Sequence, residues 1–349
     1  MASGSTRATE TSSRGTHGLG LALAGEDAAA QVVERARAAE RAGVDSLWFI
    51  EDYFQRGAFS LAGAAAAATA RIGLGIGVVN PYTRHPALLA METATLAAVA
   101  PGRVTLGLGT GVRRWVEDQM KIPAAMGLAT LRDCVDVVRR LWHGERVSHI
   151  GPGFALDNVA LEYKPAQPEL PILLGVKGPR ALALAGQIAD GVVCSVMSSP
   201  AHVRRARETT EAARRRAGRT SPFPILAYVP VALHRDSAAA RQAVRPLLAR
   251  YLAHLHGQTI LIEAGVREAE TQAIRDARAH GDSAAKLVTE DHIDTFALAG
   301  TPDQARERLR AWTEAGLDTP IALPVGEGDP MQQIKKIAEE LGPWLKRLP

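Results

Sequence analysis

Short apolar runs recur along this chain, and most are followed by a stretch whose apolar positions repeat at helical spacing. The runs stand at 18–23 (GLGLAL), 45–50 (DSLWFI), 72–79 (IGLGIGVV), 103–109 (RVTLGLG), 171–176 (PILLGV), 192–196, 223–231 and 320–325 (PIALPV), each of strand length. Between them, 26–42 reads as a helix with Val33, Ala36 and Ala39 on one side and Gly43 closing it, and the alanine-rich 60–70 as another. Pro86 opens a helix over 86–100 at its first position, with Leu89, Leu96 and Val99 on its buried stripe. Leu131, Cys134, Val135, Val138 and Leu141 mark a further helix, as do Leu182, Leu184, Ala185 and Ile188. The helix after Pro200 carries Arg204, Arg205, Arg207, Arg214, Arg215 and Arg216, which predicts a solvated face. Thr301 is an N-cap, with Pro302 behind it and Gln304 completing a capping box.

Strand and helix in alternation with short connections predict right-handed βαβ units on a parallel sheet. Eight such strands predict an α/β fold, a (β/α)8 TIM barrel. Two excursions interrupt the rhythm. Residues 112–170 follow the fourth strand, with a helix and a hairpin around Gly151-Pro152-Gly153; residues 236–292, largely helical and polar, follow the seventh. Residues 17–349 are expected to form one domain. Residues 1–16 are polar and lack an apolar core, which predicts a disordered tail rather than a signal peptide.

The run 72–79 has no charge and no polar alternation, so it suits a strand covered on both faces. Gly73, Gly75 and Gly77 share one side of it. Two readings stand equally: a bulge or the close approach of a flat ligand to bare backbone, or crowding inside a barrel. Asn80-Pro81 stops the strand.

Composition narrows the classes. The 349 residues are 46% hydrophobic and carry 41 basic against 37 acidic side chains, a net charge of +4. No basic stripe interleaves with aromatics, which argues against nucleic acid. Cys134 and Cys194 lie apart in apolar runs and read as buried thiols in a reducing compartment. No apolar segment reaches the roughly 18 residues that span a bilayer, so the protein is expected in the cytoplasm, away from membranes.

In such a barrel the residues after each strand share one rim. That rim collects Glu51, Asp52 and Tyr53; Asn80, Tyr82, Arg84 and His85; Thr110, Gly111, Arg113 and Trp115; Lys177 and Gly178; Ser195, Met197 and Ser198. It is poor in metal ligands, and His254 and His256, two apart on a helix, diverge. Gly107-Leu108-Gly109-Thr110-Gly111 has the spacing GxGxG and lacks the following helix, so it is no Rossmann fingerprint. The turn 175–179, beside 195–199, suits a phosphate held by backbone N–H groups or is an ordinary βα turn.

Together these motifs, with Gly43-Val44-Asp45-Ser46-Leu47-Trp48, Pro101-Gly102-Arg103, Ala189-Asp190-Gly191 and Ala299-Gly300-Thr301-Pro302, resemble the bacterial luciferase-like superfamily. Within it the chain looks most like the deazaflavin-dependent branch typified by methylenetetrahydromethanopterin reductase. The resemblance implies coenzyme F420, or alternatively FMN, at the C-terminal rim, with a cis peptide at Gly77-Val78 backing the ring. It implies Asn80, Thr110 and Gly111 around the ring, and Gly175, Val176, Lys177 and Gly178 with Ser195, Val196, Met197 and Ser198 along the side chain and phosphate. Asp52 becomes a proton donor or ring-nitrogen partner; Tyr53, Tyr82, Arg113 and Trp115 become substrate contacts. Sugar-phosphate dehydrogenases of the superfamily place a histidine where this chain has Asp52 and a glutamate where it has Val112, so their acid/base pair is absent. The implied activity is hydride transfer between F420 and a C=N, C=C or C=O bond of a small molecule, by a homodimer. The alternatives are an FMNH2-dependent monooxygenase and a non-catalytic flavin-binding protein.

Overall fold

The computed structural model describes residues 17–25, 29–124, 126–326 and 328–348. The expected tail over 1–16, and the first three residues of the expected helix 26–42, lie outside the described residues.

The strands are β1 Gly20–Leu23, β2 Ser46–Phe49, β3 Gly73–Val79, β4 Val104–Gly109, β5 Val147–Ile150, β6 Ala155–Val159, β7 Ile172–Gly175, β8 Gly191–Cys194, β9 Ile225–Leu233, β10 Leu298–Gly300 and β11 Thr319–Pro324. All pair in parallel except β5 with β6, which form the antiparallel hairpin expected near Gly151. β1 meets β2 on one side and β11 on the other, Gly20 facing Ile321, and this last pairing closes the sheet into the expected barrel. β10 was not foreseen: three residues long, it pairs with the end of β9, Leu298 opposite Val231, beyond the stretch where β8 pairs.

The helices are α1 Ala29–Arg41, α2 Ala58–Ala68, α3 Pro86–Val99, α4 Gly127–Trp142, α5 Pro179–Ile188, α6 Pro200–Arg216, α7 Ser237–His254, α8 Thr259–Glu263, α9 Glu268–Ala279, α10 Glu290–Phe296, α11 Pro302–Glu314 and α12 Pro330–Leu345. The excursion after β4 adds a π-helix, Arg114–Gln119, and α7 to α10 build the one after β9. The capping box forms at α11: Thr301 N–H donates to Gln304 Oε1 at 3.0 Å, and Gln304 N–H returns to Thr301 Oγ1.

Three helix faces differ from expectation. α1 buries Val32, not Val33, with Ala36 and Ala39. Val99 ends α3 on the solvent side, 52% exposed, while Leu89 and Leu96 are buried. The arginines of α6 are not all solvated. Arg207 binds Asp318, Gly316 O and Phe223 O, and Arg214 is buried against the Phe223 ring with a hydrogen bond to Ser221 O. Both tie the helix to the barrel, a use that helical periodicity does not reveal.

Inside the barrel the glycines of β3 make room for large side chains. A Cβ on Gly75 would lie 2.5 Å from the Trp48 ring, and one on Gly77 would overlap Tyr228 Oη. Of the two readings of the glycine run, crowding holds at these two positions.

Candidate active site

The β3–β4 register slips between Ile76 and Val79, and the Gly77–Val78 peptide there is cis. Gly107, Gly109 and Gly175 face the Val78 side chain: a Cβ on Gly109 or on Gly175 would sit 2.8 Å from a Val78 methyl. These three glycines on β4 and β7 open the slot that seats Val78. From β9, Tyr228 donates its hydroxyl to Gly77 O at 2.7 Å. The slipped stretch is thereby fixed from both sides.

Above it, at the C-terminal ends of the strands, opens a cavity of about 840 Å³. This is the size and place at which barrel folds hold small ligands. Asp52, Tyr53, Gly77, Val78, Asn80, Thr110, Gly111, Trp115, Gly175, Val176, Lys177, Ser195 and Val196 line it, brought together from five widely spaced stretches. Tyr82, Arg113, Gly178, Met197 and Ser198 stand outside the lining. Arg113 points to solvent and pairs with Glu117. Ser198 is buried, donating to Ser195 O at 2.7 Å while its carbonyl accepts from Trp312 Nε1 at 2.8 Å, and Met197 beside it is 1% exposed.

Asn80 organises one wall. The N–H groups of Tyr82 and Thr83 donate to its Oδ1 at 3.0 and 3.1 Å, and since they can only donate, they fix which way the amide points. Its Nδ2 then donates to Tyr53 Oη at 2.7 Å. Tyr53 Oη and Thr83 Oγ1 share a hydrogen bond of 2.6 Å, and Thr83 Oγ1 lies 3.3 Å from Asn80 Oδ1. Burial raises the pKa of Tyr53, keeping it protonated. Asn80 retains one N–H for a ligand. Trp115, carried by the π-helix, meets Tyr53 edge-on at 5.8 Å between ring centres.

Charge is unevenly spread. Glu51 is held by Arg84 and by the Ala58 N–H at 2.7 Å, at the start of α2. Asp52 is the other carboxylate of the lining, against Arg114, Lys177, Arg250, Arg275 and Arg278. Lys177 donates to Gln258 Oε1 at 3.1 Å, and burial lowers its pKa. His254, also lining the cavity, has its pKa lowered by burial and by Lys177, Arg114 and Arg250, against Asp52. Tyr228, Arg250, Tyr251, Arg275 and Arg278 are lining residues that sequence reasoning did not single out, and His254 and His256, weighed there only as metal ligands, line the cavity too. The only signal for six of them was that they fall in or just behind a long excursion on the rim side of a strand.

Residues 6–319 match the family described as Luciferase-like monooxygenase. A 5,10-methylenetetrahydromethanopterin reductase of Archaeoglobus fulgidus is 33% identical over 316 residues, covering 88% of this chain and 93% of its own. An F420-dependent glucose-6-phosphate dehydrogenase of Beutenbergia cavernae is 29% identical over 323 residues, covering 88% of this chain and 91% of its own. Among solved structures, the coenzyme F420-dependent tetrahydromethanopterin reductase of Methanopyrus kandleri superposes with a TM-score of 0.85 at 25% identity, over 94% of this chain and 99% of that one. A barrel closed by eight strands, with its cavity over the slipped third strand and a match along most of its length, belongs to the luciferase-like family.

Proposed function

We propose that this protein is an oxidoreductase passing a hydride between coenzyme F420 and an organic small molecule, reducing C=N, C=C or C=O or running the reverse reaction. The observation that carries it is the cavity itself. A flat floor is made by Gly77 and Val78, and the neighbouring wall holds more cations than carboxylates. Two of the similar proteins, matched along most of the chain, bear F420-dependent names.

The residues present fit such a group. Val78 and Gly77 offer an apolar ledge for a planar ring, Asn80 one N–H at its edge, and Lys177 with the Ser195 region a positive, hydrogen-bonding path for a phosphate-bearing arm. When bound, F420 supplies the hydride carrier at the deazaflavin C5. The chain holds the ring on its ledge, covers the cavity with Tyr53 and Trp115, and thereby orients the substrate and excludes water. Asp52, on the rim after β2, is our candidate to hold or deliver a proton. Val112 lines the cavity where sugar-phosphate dehydrogenases carry a glutamate, so sugar-phosphate oxidation through that pair is not the proposed chemistry.

Two further assignments belong to this reading. The site works in the cytoplasm; among the described residues no helix is long and apolar enough to cross a membrane. The protein acts as a homodimer, for α3 presents an exposed apolar stripe of Leu88, Met91 and Val99, extended by Tyr163, whose hydroxyl donates to Met91 O at 3.2 Å.

The test is titration of the cofactor-free protein with F420 and, separately, FMN, followed by tryptophan fluorescence, since Trp115 lines the cavity. We expect micromolar binding of F420 and weaker binding of FMN. The opposite preference, with oxygen consumed in the presence of reduced FMN, would move the protein to the monooxygenase chemistry for which its family is named. Binding of neither would refute the cofactor site.

A further inference from the structure

We infer that Arg250, Arg275 and Arg278, with Lys177, form an oxyanion subsite on the α7–α9 side of the cavity. It takes a carboxylate or phosphate of a molecule bound there, remote from the reacting bond. The inference deepens the function proposed above and rests on this cavity being the reaction site.

All four line the cavity. Among the described residues, none makes an ion pair, and the one polar partner of Lys177 is the neutral Gln258 amide. The contrast lies within the same helices. On α7, Arg241 pairs with Glu290 and Asp294, and Arg245 with Glu290. At the start of α9, Arg267 pairs with Glu270 at 2.7 Å. Arginines of α7 and α9 that face away from the cavity have carboxylates, whereas those that line it have none.

Carboxylates are outnumbered on this lining. Glu51 is taken by Arg84 and the Ala58 N–H, and Asp52 is the one other carboxylate, against five cations. Arg275 and Arg278 are three apart on one helix face, and Arg250 comes from the neighbouring helix. Guanidinium forks match the paired oxygens of a carboxylate or phosphate, and these three, though exposed to solvent, line one cavity. Lys177 adds a point charge where the cofactor's phosphate arm is proposed to run. Two sources can present that oxyanion: the substrate's distal group, or the oligoglutamate arm of F420.

The experiment titrates inorganic pyrophosphate into wild type, into R250Q/R275Q/R278Q, and into R204Q/R215Q/R216Q on α6, which removes the same charge far from the cavity. Binding is read by tryptophan fluorescence at low and moderate salt, and each fold is verified by circular dichroism. We expect the cavity variant to bind pyrophosphate at least about tenfold more weakly, with a flatter salt dependence, and the α6 variant to match wild type. Equal binding by all three proteins, or equal loss in both variants, would overturn the subsite. F420 with short and with long glutamate tails then separates the sources. Weaker binding of F420 by the cavity variant, with the long tail or with both, assigns the subsite to the cofactor arm, and unchanged binding of both assigns it to the substrate. Wild type that binds pyrophosphate as expected but not F420 would refute the function proposed above and leave the subsite standing.

Discussion

Val78 sits in a slot whose walls are glycines from strands far apart in the chain. A methyl group on Gly107 would run into Ile76 O, a backbone atom that cannot swing aside, as well as the Val78 side chain at 2.9 Å. Gly107→Ala should therefore destabilise the fold by about 1 to 3 kcal/mol, seen as a lower urea midpoint. It should also weaken ring binding, because the ledge would shift. An unchanged midpoint would mean the slot is looser than these contacts imply. The same scale explains why Gly75 and Gly77 could not be interpreted from sequence. Period-two glycines say only that something large lies close, and the identity of the neighbour, Trp48 or Tyr228, depends on which strands come to face each other. Asn80, by contrast, was legible as a strand stop and a site residue, because an Asn-Pro pair turns the chain by local geometry alone.

At the scale of elements, α6 and α8 are joined by a clasp that bears on the cavity. His202 of α6 shares a hydrogen bond of 2.9 Å with Glu263 of α8, which also pairs with Arg205, and Gln258 just before α8 accepts from Lys177. His202 is fully buried, and its Nε2 has no partner among the described residues. Burial lowers its pKa, aided by Arg205 and Lys177 and opposed by Glu263. A histidine whose folded pKa lies below its unfolded value contributes stability that is fully present above the unfolded value and is lost as pH falls through the lower folded one. His292 is lowered by burial too and acts in the same direction. The unfolding midpoint should fall as pH drops below the ordinary histidine value of about 6.5, and His202→Gln should make that fall shallower. An identical pH profile in the variant would show that the clasp does not titrate. Such a clasp is invisible in sequence, since its two sides lie 61 residues apart.

For the whole molecule, the exposed stripe of α3 gives the proposed dimer a testable surface. M91K/V99K should shift the protein toward monomer in sedimentation velocity without changing its circular dichroism, and a variant that sediments like wild type would place the contact elsewhere. What the sequence determined by itself was whatever local chemistry dictates: the alternation of strand and helix, the capping box of Thr301 and Gln304, and the hairpin at Gly151. From the alternation, the barrel and its working rim follow, because right-handed crossovers leave few other closures. Only the tertiary structure decided which side chains that rim collects from a distance. It brought Arg250, Arg275 and Arg278 over a cavity floored by β3, seated Val78 between glycines of β4 and β7, and drew Arg207 and Arg214 out of a charged stripe to bind Asp318 and Phe223. Periodicity records how a residue faces its own helix or strand. What it faces across space depends on contacts between segments with no local signal in common.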